Sequence, residues 1–268
     1  MTIELLRAPA RQAKTVADTA HRPWPLPPGR WLLGQCWDDL LFAHWRVDAE
    51  AVRRLVPSGL SVDEHDGSAW LSVTPFVLSA FRLRGTLPLP MVSSFPEINV
   101  RTYVTAEGKP GIWFFSLDTS SRGAVEGARR YYRLPYFHAR MEVARTGERL
   151  DYTSTRRDAP RPFVFTASYE PAGAPVVLRP GSLEHFLTER YCLYAADAAG
   201  LHRAEIHHPP WRVRPAEATI ELNTMPPDGL EPQGEPLLQL AERQDVLVWP
   251  LEGVSARRKA VGRAASSG

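Results

Sequence analysis

The segment EINVRTYV spaces Glu97, Asn99, Arg101 and Tyr103 two residues apart. In a strand such residues share a face, so a carboxyl, an amide, a guanidinium and a phenol would stand in one row, with Ile98, Val100, Thr102 and Val104 behind them. A row of this kind suits acid/base chemistry. Glu97 would exchange a proton with a substrate, Arg101 would grip its carboxylate as a bidentate fork, and Asn99 and Tyr103 would add polar contacts. The same alternation also fits the solvated outer face of an antiparallel sheet, whereas a closed barrel would turn the row into a polar cavity. If the hairpin turn after this strand centres on Glu107 and Gly108, Asp118 falls opposite Glu97. Two neighbouring carboxylates would then push one of their pKa values up.

A second group of reactive side chains follows in RLPYFHARM. Tyr136 and His138 alternate with Phe137, so both belong to one strand face behind the Pro135 turn. Histidine titrates near neutral pH and tyrosine can donate to a developing oxyanion, which makes both candidate proton donors. A hydrogen-bonded structural role for His138 is the plainer alternative. Eight histidines raise the question of metal, but only His207 and His208 adjoin, and adjacent strand residues point opposite ways. With no HExxH or CxxC, no metal is expected. GxSxG, GxGxxG and GxxxxGK[ST] are also missing, and Cys36 and Cys192 sit in apolar runs, so no cofactor is expected either. Only Lys14, Lys109 and Lys259 are lysines, against 29 arginines, which leaves three positions for an amine nucleophile.

The elements that must position these residues are mostly β. Short runs rich in branched and aromatic residues, separated by Gly, Pro, Asp and Asn, read as strands at DLLFAHWRV, AWLSVTPFVLS, EINVRTYVT, GIWFFSL, YFHARMEVA, LDYTSTR, PFVFTASYE, ERYCLYAAD, LHRAEIHH, ATIELNT and DVLVWPL. Such spacing favours a sandwich or closed barrel over βαβ units. Three short helices are expected: one capped by Asp48, one following Asp118, and one starting at Ser182. Residues 1–30, ending in RPWPLPPG, read as an extended arm, 31–252 as one domain, and 253–268 as a flexible basic tail. The 268 residues carry a net charge of +2, which implies neither nucleic acid nor another strongly charged partner. The longest apolar runs are too short to span a bilayer, and the N-terminus lacks a secretory core, so a cytoplasmic protein is expected. The apolar content permits a homo-oligomer without indicating one.

FPEINVRTYV, GIWFFSLD, RLPYFHARM, GSLEHFLTERYCLY and HPPW, in this order, resemble the YqjF-type bacterial family across roughly residues 31–250. That family is similar to the acetoacetate decarboxylase-like superfamily, and HWRVDAEAVRRLVPSGLSVD resembles its early strand–helix–Pro–strand unit. The resemblance implies an α+β fold of mainly antiparallel strands, a closed β cone or barrel with a few short helices around a ligand cavity. Glu97 matches the superfamily's active-site glutamate strand. RLPYFHARM stands where the decarboxylases carry two adjacent lysines after a proline, and Tyr136 and Phe137 fill those places here. Without an amine no Schiff base forms. The expectation is therefore an enzyme on a small organic acid or keto compound, not an acetoacetate decarboxylase, with Glu97, Tyr136 and His138 in proton transfer. Arg101, Tyr103, Asn99, Arg190 and His208 would bind substrate. A non-catalytic binding or sensing protein on the same fold is the alternative.

Overall fold

The structure, a computed structural model, describes residues 2–89 and 93–254, so all but the first two residues of the expected tail lie outside the described residues. Its elements are α1 (Thr2–Lys14), β1 (Leu33–Val47), α2 (Ala49–Leu55), β2 (Ser61–Val62), β3 (Ala69–Leu83), β4 (Phe95–Ala106), β5 (Lys109–Thr119), α3 (Arg122–Tyr132), β6 (Tyr136–Thr146), β7 (Arg149–Arg156), β8 (Val164–Pro171), β9 (Val176–Val177), α4 (Leu183–Thr188), β10 (Cys192–Asp197), β11 (Gly200–His207), β12 (Arg212–Asn223), β13 (Gln233–Val248) and β14 (Glu252–Gly253). Every run expected to be a strand overlaps one, though PFVFTASYE and ERYCLYAAD begin before β8 and β10, and LHRAEIHH, ATIELNT and DVLVWPL run past the ends of β11, β12 and β13. No helix among the described residues is long and apolar enough to cross a membrane.

Five long strands, in the order β13-β1-β3-β4-β5, form a continuous antiparallel sheet. Its two outer edges are closed by β6-β7-β8-β12 into a nine-strand barrel. The closure at β5 is parallel, because α3 returns the chain before β6 begins, so the barrel is mixed. The strands β10 and β11 bridge the same two edges a second time: Leu193 pairs with Ile112 of β5, and Ile206 with Val248 of β13. Gly111 permits that approach, since a Cβ there would lie 2.6 Å from the Cys192 sulfur and 2.8 Å from its carbonyl oxygen.

Both faces of the central sheet are covered, and the alternation of β4 sorts them. Ile98 and Val100 join Leu41, Ala43, Leu71 and Val73 against Leu150, Tyr152, Phe165 and Ala167 of β7 and β8. Full burial of side chains of this size contributes about 1.5–3 kcal/mol each, which fixes the register of β4 because a one-residue slip would turn the polar row into this apolar cluster. The other face carries Phe42 and Phe76, packed with Trp211 and Val213. The β4–β5 hairpin turns at Glu107 (φ 51°) and Gly108 (φ 74°), the paired left-handed conformations of a tight two-residue turn.

The helices start on caps. Asp48 accepts from the Glu50 and Ala51 amides of α2, and Ser182 from the His185 amide of α4. For α3 the cap is Ser121, because Asp118 still belongs to β5. The largest departure is at the N-terminus, where the expected extended arm begins as helix α1. Its buried positions are Ala8 and Gln12, one helical turn apart, followed by Thr15. Small and polar residues at those positions hide the amphipathic signal. Gln12 accepts from Arg82 Nε at 2.7 Å, and Arg11 donates to Asp245 at 2.5 Å. Beyond it, Arg22 donates to the Ile206 carbonyl at 2.6 Å and to Glu205 at 3.2 Å, so the arm is fastened to β11.

Candidate functional site

Glu97 is 3% exposed, opposite Phe76 on β3 and Thr119 on β5. Parallel pairing sets Tyr136 beside Leu117, and the Tyr136 hydroxyl donates to Glu97 Oε2 at 3.0 Å. The Tyr152 hydroxyl donates to the Glu97 carbonyl oxygen at 2.8 Å and so fixes the backbone beneath the carboxyl. Burial pushes the Glu97 pKa up to about 8, the Tyr136 hydrogen bond pulls the other way, and the charge of Asp118 adds a further upward push. Glu97 is therefore mainly a carboxylic acid at neutral pH. Burial and the adjacent carboxyl hold the Tyr136 phenol well above its ordinary range.

Asp118 is not opposite Glu97. The turn centres on Glu107 and Gly108 as the sequence suggests, but a bulge between Val100 and Arg101 leaves Phe115 unpaired and advances the register by one. Asp118 therefore pairs with Ile98 and faces the core on the far side of β4. There it accepts a bidentate grip from Arg156, with both contacts at 2.8 Å. Burial raises its pKa while Arg156 opposes that shift.

Arg101 lies four residues along the same face from Glu97, opposite Ser72 of β3. Arg101 is 3% exposed and has no carboxylate partner among the described residues, and its Nε and Nη2 make no hydrogen bond there. Its guanidinium carbon stands 5.3 Å from the centre of the Phe42 ring and 6.0 Å from that of Tyr103. Burial, reinforced by the charge of Arg190, holds its pKa below the ordinary value. His44 of β1, Ser72 of β3 and Arg101 of β4 lie directly across from one another in one row. His44 Nδ1 is 2.5 Å from Ser72 Oγ, which is 2.6 Å from the Tyr103 hydroxyl, and that hydroxyl donates to the Leu187 carbonyl at 2.8 Å. Burial and the nearby Arg101 charge keep His44 neutral. Asn99, midway along the row, accepts from Thr74 at 2.5 Å.

The remaining candidates are placed differently. Arg190 is committed to Asp63 at 2.5 Å and to the Phe186 carbonyl at 2.7 Å, with only Nη2 unpaired. His208 stacks on Tyr191 at 4.6 Å, and its ring nitrogens face the Pro209 and Arg190 carbonyls. A neutral His208 can donate to only one of these two carbonyls, and burial favours the neutral form. His138 shares the strand face of Tyr136 but makes no side-chain hydrogen bond or ion pair among the described residues. His44 was not among the sequence candidates, because a single histidine in an apolar run reads as strand filling until the register is known. No group of three His, Cys, Asp or Glu able to hold a metal occurs among the described residues. Two surface depressions, of about 480 and 390 Å³, lie on β6–β7 and on β7, β8 and β12, and no candidate residue lines either one.

Comparison with known proteins matches residues 34–245 to a family described as "Uncharacterized conserved protein". Uncharacterized protein YqjF of Bacillus subtilis (strain 168) is 46% identical over 228 residues, covering 84% of this chain and 94% of that protein. The chain belongs to the YqjF family. Among solved structures, the enduracididine biosynthesis enzyme MppR with HEPES bound superposes with a TM-score of 0.61 at 15% identity, covering 89% of this chain and 95% of that one. Acetoacetate decarboxylase from Legionella pneumophila gives 0.57 at 11% identity, covering 88% and 94%. An acetoacetate decarboxylase-like enzyme from Sphingomonas wittichii RW1 gives 0.58 at 16% identity, covering 89% and 99%. The fold of this YqjF-family chain is therefore that of the acetoacetate decarboxylase-like proteins. MppR has also been solved in complex with pyruvate.

Proposed function

We propose that this protein is an enzyme acting on a small carboxylate or carbonyl compound by acid/base chemistry, in a cavity over the Glu97–Arg101 face and without a Schiff base. The observation that carries the proposal is one strand face bearing, among the described residues, a buried Glu97 bonded by side chain to Tyr136 alone and a buried Arg101 with no anionic partner. Arg101 would hold the carboxylate. With a pKa of about 8, roughly a tenth of Glu97 is ionised at pH 7, so it can take a proton from a carbon next to a carbonyl and return it. The Tyr136 hydrogen bond favours the ionised form and so steadies the base. Among the described residues lysine chemistry has no support at this face: Lys14 is exposed at the end of α1, and Lys109 in the hairpin pairs with Glu205, while Lys259 lies outside the described residues.

Pyruvate is a suitable first probe, given the likeness of fold to MppR. Exchange of its methyl protons in D2O, followed by proton NMR, should be faster with the protein and fall by about 10²–10⁴ in Glu97→Gln. Equal exchange in the variant would remove Glu97 from the chemistry. Binding of pyruvate without exchange would favour a second reading, a binding protein without turnover. What speaks for that reading is that His138 makes no hydrogen bond to Glu97, leaving Tyr136 as the one expected donor there among the described residues.

A further inference from the structure

Four residues that neighbour Phe42 carry buried polar atoms that lack partners among the described residues. Arg101 Nε and Nη2, Trp211 Nε1, His44 Nε2 and Gln239 Oε1 are all buried without a hydrogen bond. Arg101 lies over the Phe42 ring, Trp211 meets it edge-on at 4.9 Å, His44 stacks at 5.5 Å, and Gln239 is its cross-strand neighbour on β13. Unpaired buried polar groups are rare, so a concentration of them around one aromatic ring calls for a ligand.

The hydrogen bonds around His44 also fix what that ligand must bring. The Leu187 carbonyl can only accept, so the Tyr103 hydroxyl gives it its single proton. Ser72 then donates to the Tyr103 oxygen, and the Ser72 oxygen must accept from His44 Nδ1–H. His44 Nε2 is thereby left as a bare lone pair beside Arg101. Arginine and tryptophan offer only donors, whereas His44 Nε2 and Gln239 Oε1 offer only acceptors. A carboxylate alone would answer the first pair and leave the second dry.

Resting on the carboxylate site proposed above, we infer that the Arg101 end takes a 2-hydroxycarboxylate, with the carboxylate on Arg101 and the neighbouring hydroxyl donating to His44 Nε2. Leaving a buried acceptor unpaired is costly enough that the hydroxyl should matter roughly 10- to 100-fold in affinity. Calorimetric titration of the full chain with lactate and with propionate, its analogue lacking the hydroxyl, tests this. Lactate should bind roughly 10- to 100-fold tighter, and His44→Phe should erase that preference while retaining propionate binding. Equal affinity for the two acids, both lost in Arg101→Met, would overturn the hydroxyl inference and leave the carboxylate site standing. No binding of either acid, or binding that survives Arg101→Met, would overturn both. A folding defect in His44→Phe is bypassed by ¹⁵N–¹H imidazole correlations in the wild type. These should show His44 protonated on Nδ1, with the Nε2 resonance moving on lactate addition; an Nε2–H tautomer would refute the inference.

Discussion

Arg101→Met asks whether Arg101 is kept for the fold or for a ligand. Its charge is fully buried without an acidic partner among the described residues, and burying an ion costs several kcal/mol even after the protein relaxes around it. The contacts with the Phe42 and Tyr103 rings return about 0.5–2 kcal/mol each. Methionine fills comparable volume without the charge. The ligand-free variant should therefore be more stable than the wild type by about 1–3 kcal/mol, equivalent to roughly 2–4 °C in melting temperature for each kcal/mol. Urea unfolding at several denaturant probes, with equal m-values, would measure the difference directly. The same variant should lose all stabilisation by small carboxylates. A variant less stable than the wild type by about 1 kcal/mol or more would refute the reasoning, because Arg101 would then be holding the barrel together.

Glu97 makes stability depend on pH with a defined sign. Its folded pKa, about 8, lies above the ordinary 4.5, so between those values the folded chain keeps a proton that the unfolded chain has released, and stability falls as pH rises through that window. The fall amounts to at most about 5 kcal/mol, and Glu97→Gln should flatten it in melts between pH 4.5 and 8. Tyr136→Phe removes the hydrogen bond that favours the carboxylate, so the midpoint of the pH–rate profile should move upward, with about 1–3 kcal/mol lost in denaturant titration. Asp118→Asn leaves Arg156 buried without its counter-ion and should destabilise by about 3–5 kcal/mol in the same assay. Borohydride treatment with pyruvate or acetoacetate should give no covalent adduct by mass spectrometry; a lysine-linked adduct would contradict the amine-free chemistry.

The pattern of strands and the membership of the Glu97 row were legible because alternation is local. It needs only the residues of one strand. Asp48 and Ser182 were legible as caps for the same reason. The partnership of Asp118 with Arg156 was not, because it depends on a bulge at Arg101 that shifts the hairpin by one residue, and nothing in GIWFFSL marks Phe115 as the extra one. His44 was invisible until β1, β3 and β4 were in register. Helix α1 was missed because, among its described side chains, it buries Ala8 and Gln12 rather than large apolar residues. For Arg190 and His208, the sequence identified polar residues in the right neighbourhood but could not show that their hydrogen bonds are already used.

The claim at the centre of the account is that the buried row on β4 receives a small carboxylate between Arg101 and Glu97. The most direct test is thermal stabilisation of the wild type, Arg101→Met and Glu97→Gln by a panel of small keto and hydroxy acids, since a ligand bound only by the folded state raises its melting temperature. At least one acid should stabilise the wild type in a saturable way, lose its effect entirely in Arg101→Met, and keep a weaker one in Glu97→Gln. A panel that moves none of the three proteins, or moves all three equally, would contradict the claim.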